Sequence, residues 1–267
     1  MITSFRMYNA GPKAAAAWRA LFGRVFADTG FDVEWIEHRW PQPIAELWAR
    51  PDLGCDFMCG WPFVRHGRMQ PIAAPVPSPP RYEHQARYLS EFLVRASSGW
   101  TTLEETFGHR IGWMAADSQS GFNAPRAHLA RLAGAERRAL FCEVRGPLGS
   151  PMKALDALRG GEVDVVALDG YFLDLLRHHE PGRIEGIACV GVTDWTPMPL
   201  LVAAPGIPPA TVRDLSTFLE SLHERRAYAP LLSGVLLERF VAPQLADYDR
   251  LEEMARFAAE RGYEEIR

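Results

Sequence analysis

The sequence predicts an α/β protein folded as two lobes, and three observations carry that expectation. As far as Arg95, short apolar runs alternate with helical periodicity in the order β-α-β-α-β. The pattern breaks at Ser97-Ser98-Gly99, after which a second βα series begins. The 267 residues, 48% of them hydrophobic, suffice for one large core or two of ordinary size.

Taken in order, Thr3–Tyr8 reads as a strand that Asn9-Ala10-Gly11-Pro12 ends. Lys13–Asp28 places Trp18, Leu21, Phe22 and Val25 at helical spacing, and Thr29-Gly30 closes that helix. Phe31–His38 is extended, prolines 41 and 43 mark a loop, and Ile44–Ala49 is a short helix. Cys55–Cys59 is a buried strand ending at Gly60-Trp61-Pro62. Met69–Val76 and Tyr88–Arg95 are further strands. This order implies a parallel sheet with helices on its faces.

In the second series, Leu103–Gly108 leads into a strand at His109–Met114, and a helix follows to about Ala133. Phe141–Val144 is extended, Ser150 caps a helix over Met152–Arg159, and Val163–Leu168 is a buried strand. Tyr171–His178 is helical and Ile184–Val192 extended. Met198–Ala203 returns to the first lobe, as do the helices from Pro209 and over Asp247–Arg267. The expected lobes are therefore 1–97 with 194–267, and 98–193.

A net charge of −4 without a basic block excludes an obvious nucleic-acid surface. No apolar run approaches the ~20 residues needed to span a bilayer, so no membrane insertion is expected. Met1–Tyr8 has no charged start followed by an apolar stretch. As written the chain is expected in the cytoplasm, and in the periplasm if upstream residues supply an export signal. Cys55, Cys59, Cys142 and Cys189 lack the companion ligands of a zinc site and read as free thiols. No G-x-S-x-G, H-E-x-x-H or G-x-x-x-x-G-K-[ST] pattern occurs. Neither a metal nor a cofactor is expected, nor is enzymatic turnover.

The organising stretch is Asp117-Ser118-Gln119-Ser120-Gly121-Phe122, a polar turn between strand and helix. Ser118 and Ser120 stand where an N-cap belongs. A helix start offers free N–H groups and partial positive charge to an anion. The stretch resembles the D-x-S-x-S-G motif of the phosphate/phosphite/phosphonate-binding proteins of ABC importers. A second match is Met152–Asp169, where an amphipathic helix ends at Gly161-Glu162-Val163-Asp164 and enters a strand. Met7-Tyr8-Asn9 and Cys59-Gly60-Trp61-Pro62 complete an ordered set across most of the chain.

The resemblance implies a type II periplasmic-binding-protein fold, with a ligand cleft between lobes that close on a small anionic or zwitterionic solute. An ABC permease is then the implied partner. Ser118, Gln119, Ser120 and Gly121 would hold the anionic end. Gln119 stands where the family often has a hydroxyl residue. Tyr8 and Trp61 would line the other lobe, Asp169 with Tyr171 would meet a ligand amine, and Trp195 would face the cleft from the second crossover. Alternatives from the residues themselves are an ordinary capped helix at Ser118, a core aromatic at Tyr8, packing for Trp61, and a turn residue at Asp164. Arg126 and the His178-His179 pair read as surface or inter-helix groups, and Tyr82 and His84 as rim-loop residues. Two alternative functions share this broad fold. One is a ligand sensor. The other is a pyrimidine synthase of thiamine biosynthesis with a pyridoxal cofactor, which Lys13 and Lys153, the chain's two lysines, poorly serve.

Overall fold

The computed structural model describes residues 1–39, 42–134 and 139–267, so Pro41 lies outside the described residues. The chain divides into two compact units. The first comprises Met1–Arg87, Asp174–Glu180 and Pro197–Leu245; the second comprises Tyr88–Leu173, Pro181–Thr196 and Ala246–Arg267.

In the first unit, Ile2–Thr3 pairs in parallel with Glu34–Trp35. The expected first strand is shorter than its apolar residues suggest. Phe5 adopts a left-handed backbone conformation (φ 53°), and Arg6–Tyr8 closes into a 3₁₀ turn. A four-stranded sheet runs Leu237–Val241, Gln70–Pro77, Leu200–Ala203, Asp56–Met58. All its neighbours are antiparallel. The helix Pro12–Thr29 buries Trp18, Leu21, Phe22 and Val25, the face read from the sequence. Gly30, at φ 66°, ends it where a side chain would be strained.

In the second unit the five-stranded order is Ile187–Val192, Ser90–Arg95, Val165–Asp169, Arg110–Gly112, Glu143–Arg145. The last three are mutually parallel, and Ser90–Arg95 is antiparallel to both of its neighbours. The sheets are thus mixed or antiparallel rather than purely parallel, because strands on either side of the crossings run opposite to the βα strands. The core of this unit includes Val94, Ile111, Leu129 and Val165 together with Phe92, Phe141 and Tyr263.

The units differ from the lobes expected from sequence in four places: Asp174–Glu180 belongs to the first unit and Asp194–Thr196 to the second, and two differences are larger. Ser90–Arg95 belongs to the second unit, where Ser90 pairs with Asp169 and Val94 with Val165. The C-terminal helix Ala246–Glu260 also belongs there rather than to the first lobe. It packs on Ala124–Leu132, and Asn123 Nδ2 donates to the Leu251 carbonyl at 2.9 Å. The tail continues the attachment: Arg126 donates to the Glu264 carbonyl at 2.7 Å and the Leu140 amide to the Arg267 carbonyl at 2.9 Å. The pattern break at Ser97-Ser98-Gly99 is a local 3₁₀ turn inside the second unit and marks no boundary.

Candidate functional site

The second unit concentrates polar groups at one edge of its sheet. Three parallel strands, ending at Gly112, Arg145 and Asp169, deliver the chain to that edge, and each then turns into a helix. A side chain caps each of these starts. Ser118 Oγ accepts the Gly121 amide at 2.9 Å, and Ser150 Oγ accepts the Lys153 amide at 3.1 Å. Asp169 Oδ1 accepts the amides of Tyr171 and Phe172 at 2.8 and 3.0 Å. Each cap satisfies N–H groups that lack an intrahelical acceptor.

The Ser118 start has the most unusual geometry. Gln119–Asn123 winds as a single π-turn before Ala124–Leu132 continues as regular helix. The Asn123 amide reaches back to the Ser118 carbonyl at 3.0 Å, and the Met114 amide donates to the Gly121 carbonyl at 3.2 Å. A Cβ on Gly121 would stand 2.6 Å from Met114 Cβ, so only glycine permits this closeness. Ser118, Gln119, Ser120 and Gly121 are all buried. The amides of Gln119 and Ser120, and the Ser120 hydroxyl, have no acceptor among the described residues. Buried N–H groups are ordinarily paired.

Gln119 departs from its expected role. Its side chain is fully buried, Oε1 accepts Asn123 Nδ2 at 2.9 Å, and Nε2 lies 3.8 Å from Met254 Sδ. The turn directs it toward the C-terminal helix, so it fastens the turn rather than offering a side-chain donor. Arg126 is likewise internal: it donates to Asn123 Oδ1 at 3.1 Å and lies over the Phe122 ring at 5.1 Å. Asn123, which sequence reading passed over, links the turn, Gln119 and the last helix.

Asp169 holds its helix start by backbone hydrogen bonds, and Tyr171 is completely buried. Trp195 is half-buried in the segment before Thr196. Asp164 is a structural ion-pair centre, meeting Arg95 at 2.7 Å and Arg110 at 2.8 Å. The hydrogen bonds from Arg110 hold its carboxyl well below the usual carboxylate range, against the effect of burial.

In the first unit, Tyr8 is packed as a core aromatic, with ring centroids 6.1 Å from Trp18 and 5.1 Å from Phe57. Trp61 is half-buried in the first turn of the helix Gly60–His66, and the Arg65 guanidinium lies 5.2 Å from its ring. Sequence reading passed over Asp56. This buried carboxylate accepts the Ser4 amide at 2.8 Å and the Phe5 amide at 3.0 Å, fixing the turn that carries Tyr8. Burial pushes its carboxyl up to about 6, opposed by those amides and by Arg6. Burial likewise brings Arg6 down to about 10.

Other expectations resolve simply. Tyr82 donates to Asp174 at 2.6 Å, His84 contacts Glu238 at 2.6 Å, and a His179 ring nitrogen lies 2.8 Å from the Gly234 carbonyl. None of the four cysteines forms a disulfide. Among the described residues no group of three metal-ligating side chains forms, and no helix is long and apolar enough to cross a membrane.

Comparison with known proteins bears on this architecture. No curated protein matches the sequence. Among solved structures, PhnD1 from Prochlorococcus marinus in complex with methylphosphonate aligns with a TM-score of 0.74 at 16% identity, covering 96% of each chain. A binding protein component of an ABC phosphonate transporter from Pseudomonas aeruginosa aligns with a TM-score of 0.78 at 15% identity, covering 97% of this chain and 87% of that one. A Xanthomonas citri protein bound to ATP aligns at 0.66 and 16% identity, covering 98% and 97%. These likenesses establish the fold as type II periplasmic-binding-protein-like. Residues 57–248 match the family described as ABC transporter, phosphonate, periplasmic substrate-binding protein, so the chain belongs to that family of ABC-transporter substrate-binding components.

Proposed function

We propose that the chain reversibly binds a phosphonate, or a small oxyanion of the same shape, at the Ser118–Gly121 helix start, without chemical turnover. One observation carries this reading: the buried amides of Gln119 and Ser120, with the Ser120 hydroxyl, have no acceptor among the described residues where the helix dipole favours negative charge. The motif contains no Lys or Arg, so backbone and hydroxyl donors must hold the anion. Asp169, at the same sheet edge, favours a zwitterion whose ammonium answers its carboxylate. The family's description supports a periplasmic site of action; cell fractionation of the source organism checks it.

Titration calorimetry with methylphosphonate, 2-aminoethylphosphonate, phosphite and phosphate tests the binding. Hydrogen bonds to a charged group contribute about 1.5–3 kcal/mol each. Joint replacement Ser118→Ala and Ser120→Ala should therefore weaken the preferred ligand by roughly two to four powers of ten, at ~1.4 kcal/mol per tenfold. A folded double variant that binds as tightly as the natural protein places the anion elsewhere. Appearance of a chemically altered ligand would overturn the absence of turnover.

A further inference from the structure

The first unit contains a cavity of about 690 Å³ that the Ser118 turn does not touch. It lies toward the beginning of the strand Asp56–Met58, away from the helix start at Gly60. Arg50 and Pro51 precede that strand. Met69 precedes Gln70–Pro77, and Pro205 follows Leu200–Ala203, whose Val202 pairs with Asp56. The helix Gly60–His66 runs back from the strand's far end, so Arg65, His66 and then Arg68 arrive at the cavity together.

Its floor is apolar and adaptable. Met58 and Trp48 are almost fully buried, and Met69 is half-buried. The Trp48 indole N–H already donates to the Phe57 carbonyl at 2.9 Å, which leaves the ring's faces for apolar contact. The rim is cationic. Arg50 is neutralised by Asp52 at 2.7 Å, but Arg65, His66 and Arg68 are exposed and have no carboxylate partner among the described residues. Among the described residues no acidic side chain lines the cavity. The volume falls within the range of small-molecule sites, about 300–1,000 Å³. Unopposed guanidinium groups at its mouth match a carboxylate or phosphate head.

We propose that this cavity is a second ligand site, for an amphipathic anion with an aromatic body on the Trp48–Met58–Met69 floor and its head at Arg65 and Arg68. It is independent of phosphonate recognition at Ser118. The test is titration with 1-naphthoate and, as a neutral counterpart, 1-naphthol, each repeated in excess methylphosphonate. The carboxylate should bind at least about tenfold more tightly than the naphthol. Joint Arg65→Glu and Arg68→Glu should remove that advantage, while the distant charge reversal Arg226→Glu should leave it. Ala45→Trp, which adds bulk to the cavity wall and keeps every charge, should block both probes. Three results would each overturn the proposal: equal binding of the two probes, unchanged 1-naphthoate affinity in the double reversal, or displacement of 1-naphthoate by methylphosphonate. Absence of 1-naphthoate binding at millimolar concentration would do the same. Apart from displacement, which would itself report methylphosphonate binding at the cavity, none of these bears on whether methylphosphonate binds.

Discussion

The two units begin their helices in opposite ways. In the first, the starts at Gly11, Pro43, Cys59 and Pro208 carry no side-chain cap, and Pro12 and Pro209 remove a backbone donor from the first turn. Aromatic packing organises that unit instead. Phe5 lies 4.1 Å from Phe22 and 5.7 Å from Phe57, and Trp18 lies 5.1 Å from Phe57, centroid to centroid. In the second unit, Ser118, Ser150 and Asp169 cap three successive helix starts at one sheet edge over a core that mixes aliphatic residues with Phe92, Phe141 and Tyr263. The lesson is a separation of labour. One unit is held chiefly by rings that need no ligand, while the other gathers oriented donors at strand ends. Pro151 leaves the Ser150 start one donor short, whereas Gln119-Ser120-Gly121 keeps all of its donors.

The strongest way to break this contrast is Phe57→Ala. Phe57 is completely buried at the centre of the aromatic cluster, so the loss should be about 3–5 kcal/mol by chemical denaturation. A loss below about 1 kcal/mol would mean that the rings do not organise the first unit.

The two buried carboxylates sharpen it through pH. The Asp56 carboxyl is raised to about 6 in the folded state, above an unfolded value near 3.9. The folded state binds that proton more tightly, so this group's contribution to stability increases as pH falls from 7 to 4, by about 2 kcal/mol. Asp164 has the opposite sign. Its lowered carboxyl contributes stability that is present above the unfolded value and is lost as pH falls through the folded one. Asp164→Asn should cost about 2 kcal/mol at pH 7 and progressively less in acid. Carboxyl-carbon NMR should find Asp56 titrating near 6 and Asp164 still ionised at pH 3. Coincident titrations would remove the distinction.

The smallest effect separates a cap from a site. Ser150→Ala should cost about 1 kcal/mol of stability, as loss of the Ser118 cap should, yet leave methylphosphonate affinity unchanged. Equal losses of affinity from Ser150→Ala and Ser118→Ala would mean that capping alone is being measured.

Much of this was legible in local sequence. The helical face of Trp18, Leu21, Phe22 and Val25, the Ser150 cap and the strand-to-helix turn at Ser118 all follow from spacing and residue type over a few positions. The ordered motifs also indicated the family that residues 57–248 match.

Long-range packing decided the rest. A helical pattern shows that Ala246–Glu260 has an apolar face, but not that Tyr248, Leu251 and Met254 are buried in the second unit. That partner also settles Gln119, drawn inward toward Asn123 and Met254 although its position in the motif suggested a ligand contact. Tyr8 turns into the core because Asp56, from a strand almost fifty residues later, binds the amides of Ser4 and Phe5 and bends the chain ahead of it. Hydrophobic period and capping chemistry are properties of neighbouring residues, so sequence alone fixes them. Which buried group meets which distant surface depends on the sum of contacts that only the folded chain assembles.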